Sequence, residues 1–285
     1  MKSEAQKLSW VVSDGIRIYG RAWNPSGESK AVLCLVHGLG EHCGRYDHVA
    51  AALTQAGYAL FAFDLRGHGN SEGSRGHIPD YPVLMDDITR ALDEAGRRYP
   101  GKPHFLYGHS LGGNLVLNYV LRCHPQLLGV VATGPALRTA VTTPGWKILF
   151  GRTMYRLWPS MVMANGLERK ALSRDGEVVT RYRNDPLVHD RLSARLGIDI
   201  LLSGDWALEH AEGFPLPLLL MHGSADRITS PDASREFAAR AGAVCTLIIW
   251  DGLYHEIHNE PEQAKVLNTI EMWLDKRIES AKTKA

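Results

Sequence analysis

The sequence predicts an α/β fold: a mostly parallel central sheet of about eight strands, flanked by helices and interrupted once by a helical insertion. Three observations carry this. Short apolar runs of strand length recur and end in glycine, amphipathic helix-length segments alternate with them, and the alternation stops once, between residues 136 and 214. A chain of 285 residues is long enough for one large α/β unit that carries such an insertion.

At the amino end, LSWVV and IRIYGRAW flank SDG, a turn signal that predicts an antiparallel hairpin leading into the parallel part. AVLCLVHG (31–38), ALFAFDLRG (59–67), PHFLYG (103–108), GVVATG (129–134), PLLLMHG (217–223) and CTLIIWDG (245–252) follow in order. Each is apolar nearly throughout, as strands covered on both faces are. Helices are expected at 46–56, 82–98, 232–242 and 261–280; in the second, Val83, Leu84, Ile88, Ala91, Leu92 and Ala95 form one stripe. Residues 136–214 show no strand-like run. There GWKILFGRTMYRLWPSMVM clusters aromatic and aliphatic residues, and RLSARLGIDILLSGDWALEHA has a helical rhythm. The core domain is therefore read as 1–135 with 215–285, and 136–214 as a helical cap over the carboxyl edge of the sheet that supplies an apolar cavity. The tail KRIESAKTKA is expected to fray.

Composition removes several function classes. With 32 Lys and Arg against 31 Asp and Glu, the net charge is +1, and no extended basic run offers a polyanion a surface, so nucleic acid is not an expected partner. Cys34, Cys43, Cys123 and Cys245 form no CxxC pair, which fits reduced thiols in a cytoplasmic protein. MKSEAQKLSWVV carries charges where a signal peptide needs an apolar stretch, and nowhere do apolar residues run long enough to span a bilayer. Nothing in the sequence sets an oligomeric state.

The chemistry is concentrated around FLYGHSLGGN. There, G-H-S-L-G fits G-x-S-x-G, a sharp strand-to-helix turn that exposes the hydroxyl of Ser110; side chains at positions 108 or 112 would collide in it. A strand before and a buried helix after, LGGNLVLNYVL, are the context that gives a short motif meaning. Serine is a weak nucleophile and must have a base, itself oriented by an acid. In this architecture the acid and then the histidine follow the serine along the chain, at the carboxyl ends of later strands. Asp226, in MHGSADRITSP, is the expected acid; Asp175, Asp185, Asp190, Asp199 and Asp205 fall in the insertion, and Asp251 in DGLYH is read as a turn residue. His255 is the expected base, with His258 beginning or capping the next helix; His222 precedes Asp226, against the required order. Two amides should hold the developing oxyanion: Leu111, after the nucleophile, and Leu39, in VHGLGEHCGRY, where His37 is expected to anchor the loop.

No metal or organic cofactor is needed for this chemistry. GLGEHCG and GHGNSEG miss the G-x-G-x-x-G spacing of dinucleotide sites, and HEIH lacks the two intervening residues of the helical zinc signature. A hydrolase-like fold used only as a binding module is the non-enzyme alternative.

HGLGEHCGRY, FDLRGHGNSEGSRGHI, YGHSLGGN, NDPLV, MHGSADRITSP and YHEIHNEP, in this order, resemble monoacylglycerol lipases and the related lysophospholipase-like serine hydrolases of the α/β-hydrolase superfamily. The similarity runs from about residue 15 to about residue 275. By that resemblance Ser110, Asp226 and His255 map to a catalytic triad, Leu39 and Leu111 to the oxyanion hole, and 136–214 to the cap. It implies a lipid ester substrate, a monoacylglycerol, cleaved through an acyl-enzyme to fatty acid and glycerol. It also implies an apolar tunnel for one acyl chain, a polar exit for glycerol, and a cap able to rest on membranes, which WKILFGRTMYRLW could do. Lysophospholipase, carboxylesterase and thioesterase activities share the same chemistry.

Overall fold

The computed structural model describes residues 5–141 and 144–283. The amino-terminal hairpin is present as β1 (Gln6–Val11) and β2 (Arg17–Trp23), paired antiparallel. There follow β3 (Val32–Val36), α1 (Asp47–Gln55), β4 (Ala59–Phe63), α2 (Pro82–Arg98), β5 (His104–His109), α3 (Leu111–Cys123) and β6 (Gly129–Thr133). The intervening segment holds α4 (Gly145–Leu157), β7 (Val162–Ala164), α5 (Gly176–Asn184), β8 (Arg191–Ser193) and α6 (Ala194–His210). The chain closes with β9 (Leu218–Gly223), α7 (Pro231–Ala241), β10 (Cys245–Trp250) and α8 (Gln263–Lys282).

Eight strands form one sheet in the order β1-β2-β4-β3-β5-β6-β9-β10, antiparallel at the β1–β2 and β2–β4 pairs and parallel from β4 to β10. Every residue of β3, β4 and β6 is buried. Both faces are covered: Val32, Cys34 and Val36 point into a core shared with α2, α3, α6 and α7, while Leu33 and Leu35 face one shared with α1 and α8. Because all parallel strands end on the same edge, the loops after β3, β5, β9 and β10 gather there.

Two local expectations are corrected. The insertion contains a strand pair after all, β7 with β8, antiparallel from Val162 opposite Ser193 to Ala164 opposite Arg191. Three residues a side are too few to display a period, so pairing rather than pattern creates this ribbon. The carboxyl tail does not fray at residue 276; α8 continues to Lys282, and its buried stripe of Ile270, Leu274 and Ile278 at four-residue spacing explains why.

The helices of the insertion differ sharply in environment. Along α3, helix α6 joins the core through Leu196, Ala207 and Leu208, and Asn118 Nδ2 donates to the Ser203 carbonyl at 3.1 Å. Helix α4 packs on α6, yet buries no side chain of its own and exposes Trp146, Leu149 and Leu157.

Helix α3 crosses the sheet at main-chain contact. A Cβ on Gly112 would lie 1.9 Å from the Val36 carbonyl oxygen, and one on Gly108 would lie 2.2 Å from the Gly112 carbonyl oxygen. Gly112→Ala is therefore expected to cost about 3 kcal/mol or more in urea-denaturation free energy, from overpacking against backbone that cannot yield. A midpoint matching that of the unsubstituted protein would contradict this contact.

Candidate active site

Between β5 and α3, Ser110 adopts φ +55°, ψ −115°, a backbone state that costs a non-glycine residue about 1–3 kcal/mol. The cost is tolerated because Gly108 and Gly112 let the strand end and helix start meet, leaving no room for a relaxed turn. Ser110 N–H donates to the Thr133 carbonyl at 3.0 Å, and the Ser110 carbonyl accepts from Asn114 and Ala136, which ties the elbow to its neighbours.

Three loops bring the sequence-predicted side chains together. Ser110 Oγ lies 2.9 Å from His255 Nε2, and His255 Nδ1 lies 2.7 Å from Asp226 Oδ2. Since Asp226 can only accept when ionised, Nδ1 carries the proton and Nε2 is left to accept from the serine hydroxyl. Asp226 Oδ1 accepts from the Ile228 and Thr229 amides at 2.7 and 3.1 Å, and the Thr229 hydroxyl is 2.8 Å from Oδ2. Burial alone would raise the Asp226 carboxyl, but the charge and hydrogen bond of His255 and the bond from His222 outweigh it and hold it far below the usual carboxylate range. For His255 the balance runs the other way: burial opposes the charged ring, while the Asp226 carboxylate and its hydrogen bond, with Glu256 and Glu41, raise its pKa above the ordinary 6.5.

Leu39 borders the space above Ser110, and Leu111 follows the serine as the first residue of α3. The Leu39 loop passes directly over the serine, since a Cβ on Gly38 would sit 3.1 Å from Ser110 Cβ. Among the described residues the Leu39 and Leu111 amides make no backbone hydrogen bond outside the regular helix and strand ladders. The loop is anchored by His37, whose Nδ1 is 2.8 Å from the Gly38 carbonyl oxygen and whose Nε2 accepts from the Leu65 amide at 2.9 Å.

Sequence reasoning missed the ion pairs beneath this floor. Arg45 binds Glu256 through both guanidinium ends at 2.7 Å and also pairs with Glu41. Glu41 in turn accepts from the Gly38 amide at 2.6 Å and the Tyr46 hydroxyl at 2.8 Å. Burial raises both carboxyls, and Arg45 more than offsets it, keeping them ionised below their ordinary range. Glu41 and Arg45 are four residues apart in GEHCGR, and Glu256 adjoins His255; charges flanking the quoted motifs were the available signal. His258 is a correction as well. It starts no long helix but sits buried in a short 3₁₀ turn, stacked on Tyr46 with ring centroids 5.0 Å apart, and desolvation pulls its pKa down to about 3. Asp251 is exposed and accepts from the Ser224 hydroxyl at 3.2 Å, a turn role. His222 is no base, yet its Nε2 stands 3.0 Å from Asp226 Oδ2. Since His255 and His258 turn to different partners, HEIH does not gather ligands.

Free space above Ser110 amounts to about 10 Å³, walled by Leu39, His109 and His255 and, from the insertion, by Leu167, Leu172 and Tyr182. One water fills such a volume. A separate cavity of about 470 Å³ shares the Leu167 and Tyr182 wall and is lined by Arg169, Lys170, Arg183, His189 and Asp190. Among the described residues no helix is long and apolar enough to cross a membrane.

A serine at a strained strand-to-helix elbow, on a sheet of this order, defines a serine hydrolase of the α/β-hydrolase fold. The chain belongs to the hydrolase family described as serine aminopeptidase, S33, whose model matches residues 27–262. Among relatives it is 35% identical over 276 residues to the monoacylglycerol lipase of Mycolicibacterium smegmatis, covering 96% of this chain and 98% of that one. It is 36% identical over 280 residues to an uncharacterised abhydrolase domain-containing protein of Dictyostelium discoideum, covering 96% of this chain but only 29% of that much longer protein. The crystal structure of Paleococcus ferrophilus monoacylglycerol lipase superposes with a TM-score of 0.84 at 36% identity, over 91% of this chain and 99% of that one.

The His255 environment fixes the sign of a pH effect. The base must be neutral to accept the serine proton, so kcat/KM for a neutral ester should fall as pH drops through an apparent pKa above 6.5. A profile still flat well below that value would contradict the assignment.

Proposed function

We propose that this chain is a monoacylglycerol lipase, hydrolysing one ester bond of a monoacylglycerol to free fatty acid and glycerol. The observation that carries the reading is the continuous hydrogen-bond path from Ser110 Oγ through His255 to Asp226, in a chain similar along almost its whole length to monoacylglycerol lipases. Ser110 attacks the ester carbonyl as His255 Nε2 takes its proton. The carbonyl oxygen, now negative, moves into reach of the Leu39 and Leu111 amides. His255 then returns the proton to the departing glycerol oxygen, leaving an acyl-serine. Water, deprotonated by the same nitrogen, attacks the acyl carbon and releases the fatty acid. Asp226 remains ionised throughout and holds the ring in its reactive tautomer. These steps call on no cofactor or metal.

Residues 136–214 act as the cap in this reading. Leu167, Leu172 and Tyr182 border a space of about 10 Å³ beside the half-buried Ser110, too narrow for an acyl chain, so in this reading these side chains shift as substrate enters. The cavity of about 470 Å³ beside Tyr182 is the exit for glycerol in this reading, because Arg169, Lys170, Arg183, His189 and Asp190 on its wall offer hydrogen bonds to a triol. The cap also reaches a membrane through α4 and the residue after it, where Trp146, Leu149, Leu157 and Trp158 are exposed alongside Lys147, Arg152 and Arg156.

Two measurements test this. On a panel of monoacylglycerols, lysophosphatidylcholine and short nitrophenyl esters, kcat/KM should be highest for a monoacylglycerol, and Ser110→Ala should lose at least about 10³-fold on every substrate. A preference for lysophosphatidylcholine would replace the substrate assignment. For the cap, Trp146→Ala and Trp158→Ala should weaken co-sedimentation with anionic vesicles about fivefold or more while leaving turnover of a soluble ester within twofold. Undiminished sedimentation would remove α4 from the membrane.

A further inference from the structure

His222, on β9, takes no part in the steps above, yet it is fully buried and both of its ring nitrogens are engaged. Nδ1 lies 2.7 Å from Ser234 Oγ on α7, and Nε2 lies 3.0 Å from Asp226 Oδ2. That oxygen is the one that receives the His255 Nδ1–H at 2.7 Å. The other carboxylate oxygen is already held by two backbone amides, from Ile228 and Thr229. Those amides fix the direction of the carboxylate without help, so what His222 adds is a second ring donor on the oxygen that serves the base.

We propose that His222 is a positioning residue that acts through Asp226: by sharing Oδ2 it limits how strongly that oxygen draws a proton onto His255, and so keeps the base neutral to lower pH. The sign follows from electrostatics. A carboxylate whose charge is spread over additional donors is a weaker partner for an imidazolium, and inside the protein little solvent intervenes to mask the difference. Removing the His222 N–H concentrates the charge on the bond to His255 and favours the protonated ring. The remaining charged groups around the base are Glu41 and Glu256, which favour its charged form, while burial holds the neighbouring His109 and His258 rings well below the ordinary histidine range. They are unchanged by substitution at position 222. The Thr229 hydroxyl, 2.8 Å from Oδ2, and the Ser234 hydroxyl complete the surroundings of the acid and of His222.

The inference rests on the triad reading, and the two fail separately: turnover surviving in Ser110→Ala would end the triad, whereas a stationary pH profile ends only the role of His222. The test is the pH dependence of kcat/KM on a nitrophenyl ester for His222→Leu, His222→Asn and His222→Gln. Glutamine keeps an N–H that can reach Asp226; leucine has none, and asparagine is too short. Whatever their plateau rates, the Leu and Asn variants should have the acid limb displaced upward by about half to one pH unit. At a pH below the limb that is about a three- to tenfold loss relative to the plateau. The Gln variant should retain the parent limb. Where the Leu variant does not fold, the Asn variant decides. Coincident acid limbs in all variants, a Gln limb displaced as far as the others, or failure of both Leu and Asn to fold beside a normally folded Gln variant would each overturn the proposal and leave His222 a packing residue.

Discussion

The site depends on one constraint: helix α3 passes the sheet so closely that its first turn touches the backbone of β3 and β5. With 1.9 Å between a notional Gly112 Cβ and the Val36 oxygen, the helix has no freedom to retreat. The residue that joins strand to helix must reverse direction within a single position, and Ser110 does so at φ +55°. Strain here has a use. In the proposed mechanism this one turn sets both the attacking Ser110 hydroxyl and, one residue on, the Leu111 amide that meets the oxyanion.

The second level of organisation is electrostatic. Arg45 joins Glu41, beneath the Leu39 loop, to Glu256, the residue after His255. A buried pair of carboxylates would be strongly unfavourable without that guanidinium, and the guanidinium equally so without them. Because all three are desolvated and mutually dependent, the loop after β3 and the loop after β10 keep one relative position. The Gly38 amide, bonded to Glu41, carries that rigidity to within one residue of Leu39. Asp226 is fixed differently, by amides of its own loop, which leaves His255 suspended between two independently braced groups.

Much of the frame was legible because its cause is local. Strands such as VLCLV and LLLMHG are apolar at every position since helices cover both faces, and the Gly-rich elbow declares itself through residues that tolerate contact. Asp226 and His255 could be picked out from chain order and from their place just past β9 and β10. What escaped notice forms across long separations. The β7–β8 ribbon is made by three-residue segments with no period, and the Arg45–Glu256 pair joins positions 211 residues apart. In the sequence His222 reads only as a histidine out of order for a base; its bond to Asp226 needs the turn after β9 to fold the chain back. His258 reads as a polar residue near a helix start, and only the approach of Tyr46 and His109 explains its burial. The narrow space over Ser110 likewise arises from side chains that no sequence window contains together.

The most direct measurement is a crystal structure of the protein after reaction with a fluorophosphonate, whose phosphoryl oxygen occupies the position of the ester oxyanion. The account predicts phosphorus bonded to Ser110 Oγ, with its free oxygen about 3 Å from both the Leu39 and Leu111 nitrogens and His255 still paired to Asp226. Phosphorus on another residue, or an oxygen turned away from those two amides, would contradict it.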